Sequence, residues 1–171
     1  MITTERLLIR PAQDRDAADL FEVYGDAKTM RYWDTLPDAQ LAQTEQRVRS
    51  FMQAEHPGYF VITLEGRAIG TAGIHSNDEI GFILNRAHWR KGLMRECLQA
   101  LIPWCFETLN LPQITADTDP RNTASITLLK TLGFEETGRA SRTLKVGDTW
   151  CDSVYFRIAR SSLQRGDYVA G

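Results

Sequence analysis

Glu79-Ile-Gly-Phe-Ile-Leu-Asn-Arg-Ala-His-Trp-Arg-Lys-Gly-Leu-Met-Arg-Glu96 decides how this chain is read. Glu79 to Leu84 has the character of a short strand, Gly92 centres a turn, and a helical stripe follows at once. Met94, Cys97, Leu98, Leu101, Ile102, Cys105, Phe106 and Leu109 recur at spacings of three and four. Where a strand breaks into a glycine turn and then a helix, the first helical N–H groups are left unpaired. They point outward with the positive end of the helix dipole behind them, a geometry suited to a pyrophosphate. Neither G-x-x-x-x-G-K-[ST] nor G-x-G-x-x-G occurs, so this is not the P-loop or the dinucleotide fingerprint. Pro103 lies inside the helical stripe and removes the donor that would reach Gln99, which predicts a local bend.

Working outward, Leu7 to Arg10 reads as a first strand, and Asp14-Arg-Asp16 as the cap of a helix with Ala17, Leu20, Phe21 and Tyr24 on one face, ended by Gly25. Residues 38–54 form a second, weakly amphipathic helical region laid over the sheet, its thin stripe made by Leu41, Val48, Phe51 and Met52. Tyr59 to Leu64 and Ala68 to Ile74 flank a glycine turn and predict a hairpin. Beyond the central helix come a strand at Ile114 to Asp117, a helix at Thr123 to Leu132, and a hairpin of Phe134 to Leu144 with Thr149 to Ile158 around Val146-Gly-Asp148. The tail from Arg160 is polar. No repeat or linker divides the chain, so residues 1–171 read as one domain with its core at about 4–158.

The 171 residues are 43% apolar and 25% charged, enough for one full core. A net charge of −2 gives no basic footprint for nucleic acid. Cys97, Cys105 and Cys151 lack C-x-x-C or Cys/His metal spacing and read as buried reduced thiols, with no metal implied. No run approaches the length of a membrane span and no signal-like segment opens the chain, so a soluble cytoplasmic protein is expected, with no membrane partner.

Residues 120–134, Pro-Arg-Asn-Thr-Ala-Ser-Ile-Thr-Leu-Leu-Lys-Thr-Leu-Gly-Phe, add a second signature: Asn, then Ser three later, then a helix closed by Gly-Phe. Thr4-Glu-Arg-Leu-Leu-Ile-Arg-Pro11 and Met30-Arg-Tyr-Trp33 add a third. Together with the Gly92 turn they resemble the GNAT N-acetyltransferase superfamily, in its ribosomal-protein (RimJ/RimL-like) branch. The resemblance implies a mixed α/β fold with a largely antiparallel, splayed sheet, and acetyl-CoA as co-substrate. It places the pantetheine arm along the strand that ends in Ile83 and Leu84, and the pyrophosphate on Arg90, Lys91, Gly92, Leu93, Met94 and Arg95. Trp89 and Met94 depart from the family's usual residues at the two ends of that loop. Asn122 would help fix the cofactor arm and Ser125 would lie near the sulfur, although both also suit helix capping. The tyrosine that many members place on this helix to protonate the thiolate is Leu129 here.

Attack of a neutral amine on a thioester needs orientation, an oxyanion donor and a base. Glu79 is the candidate base, directly or through water, and equally a surface carboxylate at a strand end. Asp117 and Asp119 lie where they could hold a cationic acceptor or cap a turn; His75, as a lone histidine, reads more readily as structural. Trp150 and Asp152 share a strand face that in this branch lines the acceptor side. The acceptor expected from the branch is a protein N-terminal α-amine. The alternatives are a small amine such as a polyamine, an amino-acid analogue or an antibiotic, or a non-catalytic acyl-CoA sensor. A homodimer is compatible with all three.

Overall fold

A computed structural model describes residues 1–53 and 58–164; residue 54, the end of the second expected helix, and the tail beyond 164 lie outside it. Among the described residues, eight strands form one sheet: β1 (Ile2–Thr3), β2 (Leu7–Arg10), β3 (Tyr59–Leu64), β4 (Arg67–Ser76), β5 (Glu79–Leu84), β6 (Gln113–Thr118), β7 (Glu135–Val146) and β8 (Thr149–Ala159). Their order is β1-β2-β3-β4-β5-β6-β8-β7, antiparallel except where β6 lies parallel to β5. The helices are α1 (Ala17–Tyr24), α2 (Leu41–Met52), α3 (Leu93–Thr108), α4 (Thr123–Thr131) and α5 (Arg160–Gln164).

Alternation along the strands produces two cores. Phe60, Ile62 and Ile69 face α3 and α4, joining Leu98, Leu101, Ile102 and Phe106 of the helical stripe. Val61, Ala68 and Ile83 face the other way, onto Leu20, Val23 and Tyr24 of α1 and Val48 of α2. The central strands are thus covered on both faces, which is why β3 reads as an almost unbroken apolar run. The expected apolar face of α1 holds for Ala17, Leu20 and Tyr24, but Val23 rather than Phe21 completes the buried set.

Asp14–Asp16 is a 3₁₀ turn rather than a side-chain cap. The Asp16 carboxylate is taken by Arg10, which donates from both terminal nitrogens at 2.7 Å, and by the Gln13 amide at 2.8 Å. Gly25 does follow α1, but with φ of −86° it uses no left-handed conformation.

β5 and β6 are matched at one position only, Glu79 opposite Thr115. Asp78 pins that end: its carbonyl accepts from the Thr115 amide at 2.9 Å, and its carboxylate from Gln113 Nε2 at 2.8 Å and Thr115 Oγ1 at 3.0 Å. Beyond the pin the strands part, leaving the outer edge of β5 from Ile80 to Leu84 without a strand partner among the described residues.

Candidate active site

Two cavities meet in that parting. The larger, about 570 Å³, runs from the open edge of β5 to the start of α3 and α4. At its far end Arg90 and Gly92 both adopt left-handed backbone conformations, φ 60° and 76°. The first bond of α3 is from the Glu96 amide to the Gly92 carbonyl, so the amides of Leu93, Met94 and Arg95 lie ahead of the intrahelical ladder. With the dipole of a 16-residue helix behind them, they present donors suited to an anion. Arg90 and Arg95 line this cavity, as does Lys28, which arrives from the segment after α1. A helix start, a left-handed glycine and three cations on one cavity fit a pyrophosphate, and the open β5 edge beside Ile83 and Leu84 fits an amide-bearing arm.

The turn is braced from below by contacts invisible to any local reading. Glu96 accepts from Thr4 Oγ1 at 2.5 Å, the Arg6 amide at 2.8 Å and Arg6 Nε at 2.7 Å, while Arg6 Nη1 donates to the Lys91 carbonyl at 2.9 Å. Burial works to raise the Glu96 pKa, but these bonds outweigh it and hold the carboxyl below its usual range. Lys91 therefore contributes a braced carbonyl and does not line the cavity; Leu93 is a core residue. The two departures at the loop are also accommodated. Trp89 Nε1 donates to the Leu84 carbonyl at 2.7 Å, tying the loop to the strand end, and Met94 packs against the main core.

On α4, the Asn122 side chain accepts from the Ser125 amide at 3.2 Å, a true helix cap, and both residues line the larger cavity. Leu129, where the family tyrosine would stand, is a buried apolar part of its wall.

The smaller cavity, about 300 Å³, lies on the other side of the parting, under α2 and the β7–β8 hairpin. Tyr24, Trp33, Phe51 and Tyr59 make its aromatic wall, and Asp34, Glu79, Asp117, Asp119 and Asp152 its carboxylates. Two of these already have basic side-chain partners. Asp119 accepts from the Arg121 amide and guanidinium, bonds that hold its pKa down against burial; it, not Asp117, organises the turn into α4. Glu79 Oε1 lies 3.2 Å from His75 Nε2. A bulge creates that pair: Ile74 faces Ile80 and Ser76 faces Glu79, so His75 is the extra residue and is re-aimed along the sheet. Glycine at 81 leaves room for it, since a Cβ there would meet the imidazole at 3.0 Å. The hydrogen bond to Glu79 raises the His75 pKa above 6.5, against partial burial. His75, expected to be isolated, thus lines the smaller cavity beside Glu79.

Asp117 points into the cavity with Ser153 Oγ donating to it at 2.8 Å. Burial pushes its pKa up, Glu79 adds to the effect, and the Ser153 bond opposes it. Asp152 lines the same cavity, but Trp150 does not: it is 46% exposed at the hairpin tip, with the Arg142 guanidinium 5.0 Å from its ring centroid. Cys97 and Cys105 are buried thiols, the latter pushed up to about 12 by burial, whereas Cys151 is half-buried on the wall of the smaller cavity.

Six residues line both cavities: Tyr32, Trp33, Ile80, Gly81, Asp117 and Thr118. They form a throat through which a group held on one side can reach a group held on the other. Among the described residues no cluster of three or more His, Cys, Asp or Glu could hold a metal, and no helix is long and apolar enough to cross a membrane.

Residues 6–135 match the family described as acetyltransferase (GNAT) domain. The chain is 33% identical over 146 residues to the uncharacterised N-acetyltransferase p20 of Bacillus licheniformis, covering 79% of this chain and 82% of that protein. It is 28% identical over 169 residues to the ribosomal protein uS5-alanine N-acetyltransferase of Escherichia coli, covering 90% and 87%. The crystal structure of a GNAT-family acetyltransferase from Bacillus anthracis superimposes with a TM-score of 0.84 at 27% identity, over 94% of this chain and 98% of that one.

Proposed function

The chain belongs to the acetyltransferase (GNAT) family and is an acetyl-CoA-dependent N-acetyltransferase, and we propose that its acceptor is the α-amine of a peptide or protein N-terminus. The observation that carries this reading is the His75–Glu79 pair on the acceptor side of the throat. A base built from imidazole and carboxylate is weak. Freeing a neutral amine at pH 7 costs about 1.4 kcal/mol for an α-amine near pKa 8, against about 4.6 kcal/mol for a lysine-like amine near 10.4. The E. coli relative, whose name specifies a ribosomal-protein alanine, supports the same class.

In this reading the β5 edge, the Gly92 turn and the starts of α3 and α4 hold the cofactor, with Arg90, Met94, Arg95, Asn122 and Ser125 along it. Glu79, aided by His75, receives the amine proton, and Asp117 and Asp152 hold the ammonium as it enters. The neutral amine attacks the thioester carbonyl at the throat, and CoA leaves as the thiolate.

A second reading, a small polycationic amine, is favoured by one feature: Asp34, Asp117 and Asp152 have no ion-pair partner among the described residues. The two separate in an acetyl-CoA-dependent screen of N-terminal peptides, the same peptides N-blocked but carrying lysine, and polyamines. Acetylation at the α-amine, located by mass spectrometry, supports the peptide reading. Faster turnover of a polyamine than of every free N-terminus overturns it.

A further inference from the structure

We infer that the Tyr32 hydroxyl is the acid that protonates the departing CoA thiolate. The thioester arrives through the larger cavity and the amine through the smaller, so the reacting atoms meet where the two share walls. Of the six shared residues, only Tyr32, Asp117 and Thr118 carry an oxygen acid or hydroxyl on the side chain.

Asp117 accepts from Ser153 on the acceptor side, where the proposed function uses it as a carboxylate to hold the entering ammonium. Thr118 and Ser125 offer aliphatic hydroxyls, much weaker acids than a phenol, and Ser125 lines only the cofactor side. The α4 position that could have supplied a phenol is Leu129. A phenol from another element, the segment between α1 and α2, reaches the throat instead. Its hydroxyl makes no hydrogen bond among the described residues, so it is free to donate. Its ring lies beneath two cations, the guanidinium carbons of Arg31 at 5.3 Å and Arg121 at 5.8 Å from the centroid, which help fix its place at the throat.

The step balances. Glu79 passes the ammonium's first proton to solvent; the neutral amine nitrogen then bonds the acetyl carbon and loses its second proton to the freed Glu79, which releases it to solvent in turn. The C–S bond breaks with its electron pair on sulfur, and the Tyr32 proton moves to that sulfur, giving the amide and free CoA thiol. Solvent then returns a proton to the phenolate. The inference rests on acetyl transfer from acetyl-CoA and not on the class of acceptor.

The test is Tyr32→Phe, which keeps the ring and both cation contacts and deletes only the hydroxyl. Enzyme in excess and saturated with acetyl-CoA is mixed with whichever amine the wild type acetylates fastest, and the single-turnover rate is read beside acetyl-CoA affinity and thermal unfolding. A rate lower by about ten- to a hundredfold with affinity within about twofold supports the assignment. Tyr32→Leu should then lose at least as much rate. The assignment is overturned if Tyr32→Phe turns over like wild type, or if its rate and acetyl-CoA affinity fall together, which would make Tyr32 a wall. A wild type that acetylates only polyamines sinks the peptide reading while leaving this comparison intact.

Discussion

Gly92→Ala asks whether the turn is held by its backbone conformation. Gly92 sits at φ 76°, ψ 0°, and a Cβ added there would meet only Arg6 Nη2, at an ordinary 3.6 Å. The substitution is therefore not a steric one. Its cost is that of a non-glycine residue in the left-handed region, about 1–2 kcal/mol, offset in part by about 0.4–1 kcal/mol from the stiffer unfolded chain. That strain can appear in two places. If the free protein keeps the turn, the net loss appears as stability and lowers Tm by about 2–4 °C per kcal/mol for a chain of this size. If the turn relaxes in the free protein, CoA must restore it, and affinity falls by up to about thirtyfold. The two losses, measured by thermal unfolding and by CoA titration, should together approach about 1–2 kcal/mol before the unfolded-chain offset. Gly92→Pro, whose ring fixes φ near −65°, should abolish CoA binding in a folded protein. Wild-type stability together with wild-type CoA affinity in both variants would refute the reasoning and place the phosphate site elsewhere.

Glu79→Gln should slow the chemical step by about a hundredfold or more while acetyl-CoA affinity holds, because Glu79 lines only the acceptor cavity; the defect should shrink as pH rises, and a mutant with the wild-type rate at every pH removes Glu79 as base. His75 titrates higher folded than unfolded, so its pair with Glu79 adds stability below about pH 6.5 that is lost as pH climbs through the raised value. With both side chains about 40% exposed, the difference in stability between wild type and His75→Gln should stay under about 1 kcal/mol at pH 5.5 and vanish by pH 9, and the opposite trend would contradict the pairing. Ser125→Ala should lower turnover by no more than about a hundredfold, and a loss of stability with full turnover would make Ser125 a helix residue alone. Asp16→Ala strands the buried Arg10 guanidinium and should cost about 3–5 kcal/mol in denaturant unfolding, whereas a loss below about 1 kcal/mol would show the pair to be solvated.

What could be read in the chain was what is local. The strand into Gly92, the stripe of α3, the Asn122 cap and the two glycine hairpins each declare themselves within a dozen residues, and all stand where they were expected. What escaped depends on distance or register. Arg6 and Glu96 are 90 residues apart, and only the fold brings β2 beneath the loop. His75 looked isolated because its meeting with Glu79 needs a bulge, yet Asn77-Asp78 between them was a turn signal that could have suggested the contact. Tyr32 and Trp33 lie in an aperiodic stretch, so nothing in their spacing says what they cover. Trp150 shows the reverse error: alternation gave it a face but not a depth, and at a hairpin tip the face is solvent.

The same distinction between local and distant placement bears on catalysis. Asp78 binds β6 through three hydrogen bonds at the closed end of the parting, and Glu79 is its neighbour, so the proposed base sits where the two strands are joined. The throat's other wall is hung differently. Tyr32 and Trp33 are carried by a segment anchored through buried Met30, the Thr29 bonds to Asp26 and the edge-on contact of Trp33 with Tyr24 at 6.4 Å. A base must meet one proton on a short amine, and a misplacement of about 1 Å is costly. Glu79 is thus held by the sheet itself, and Tyr32 by the side-chain contacts of the segment that carries it. Substitutions at Met30 or Asp26 should accordingly disturb the thiol-leaving side of the reaction before they disturb deprotonation of the amine.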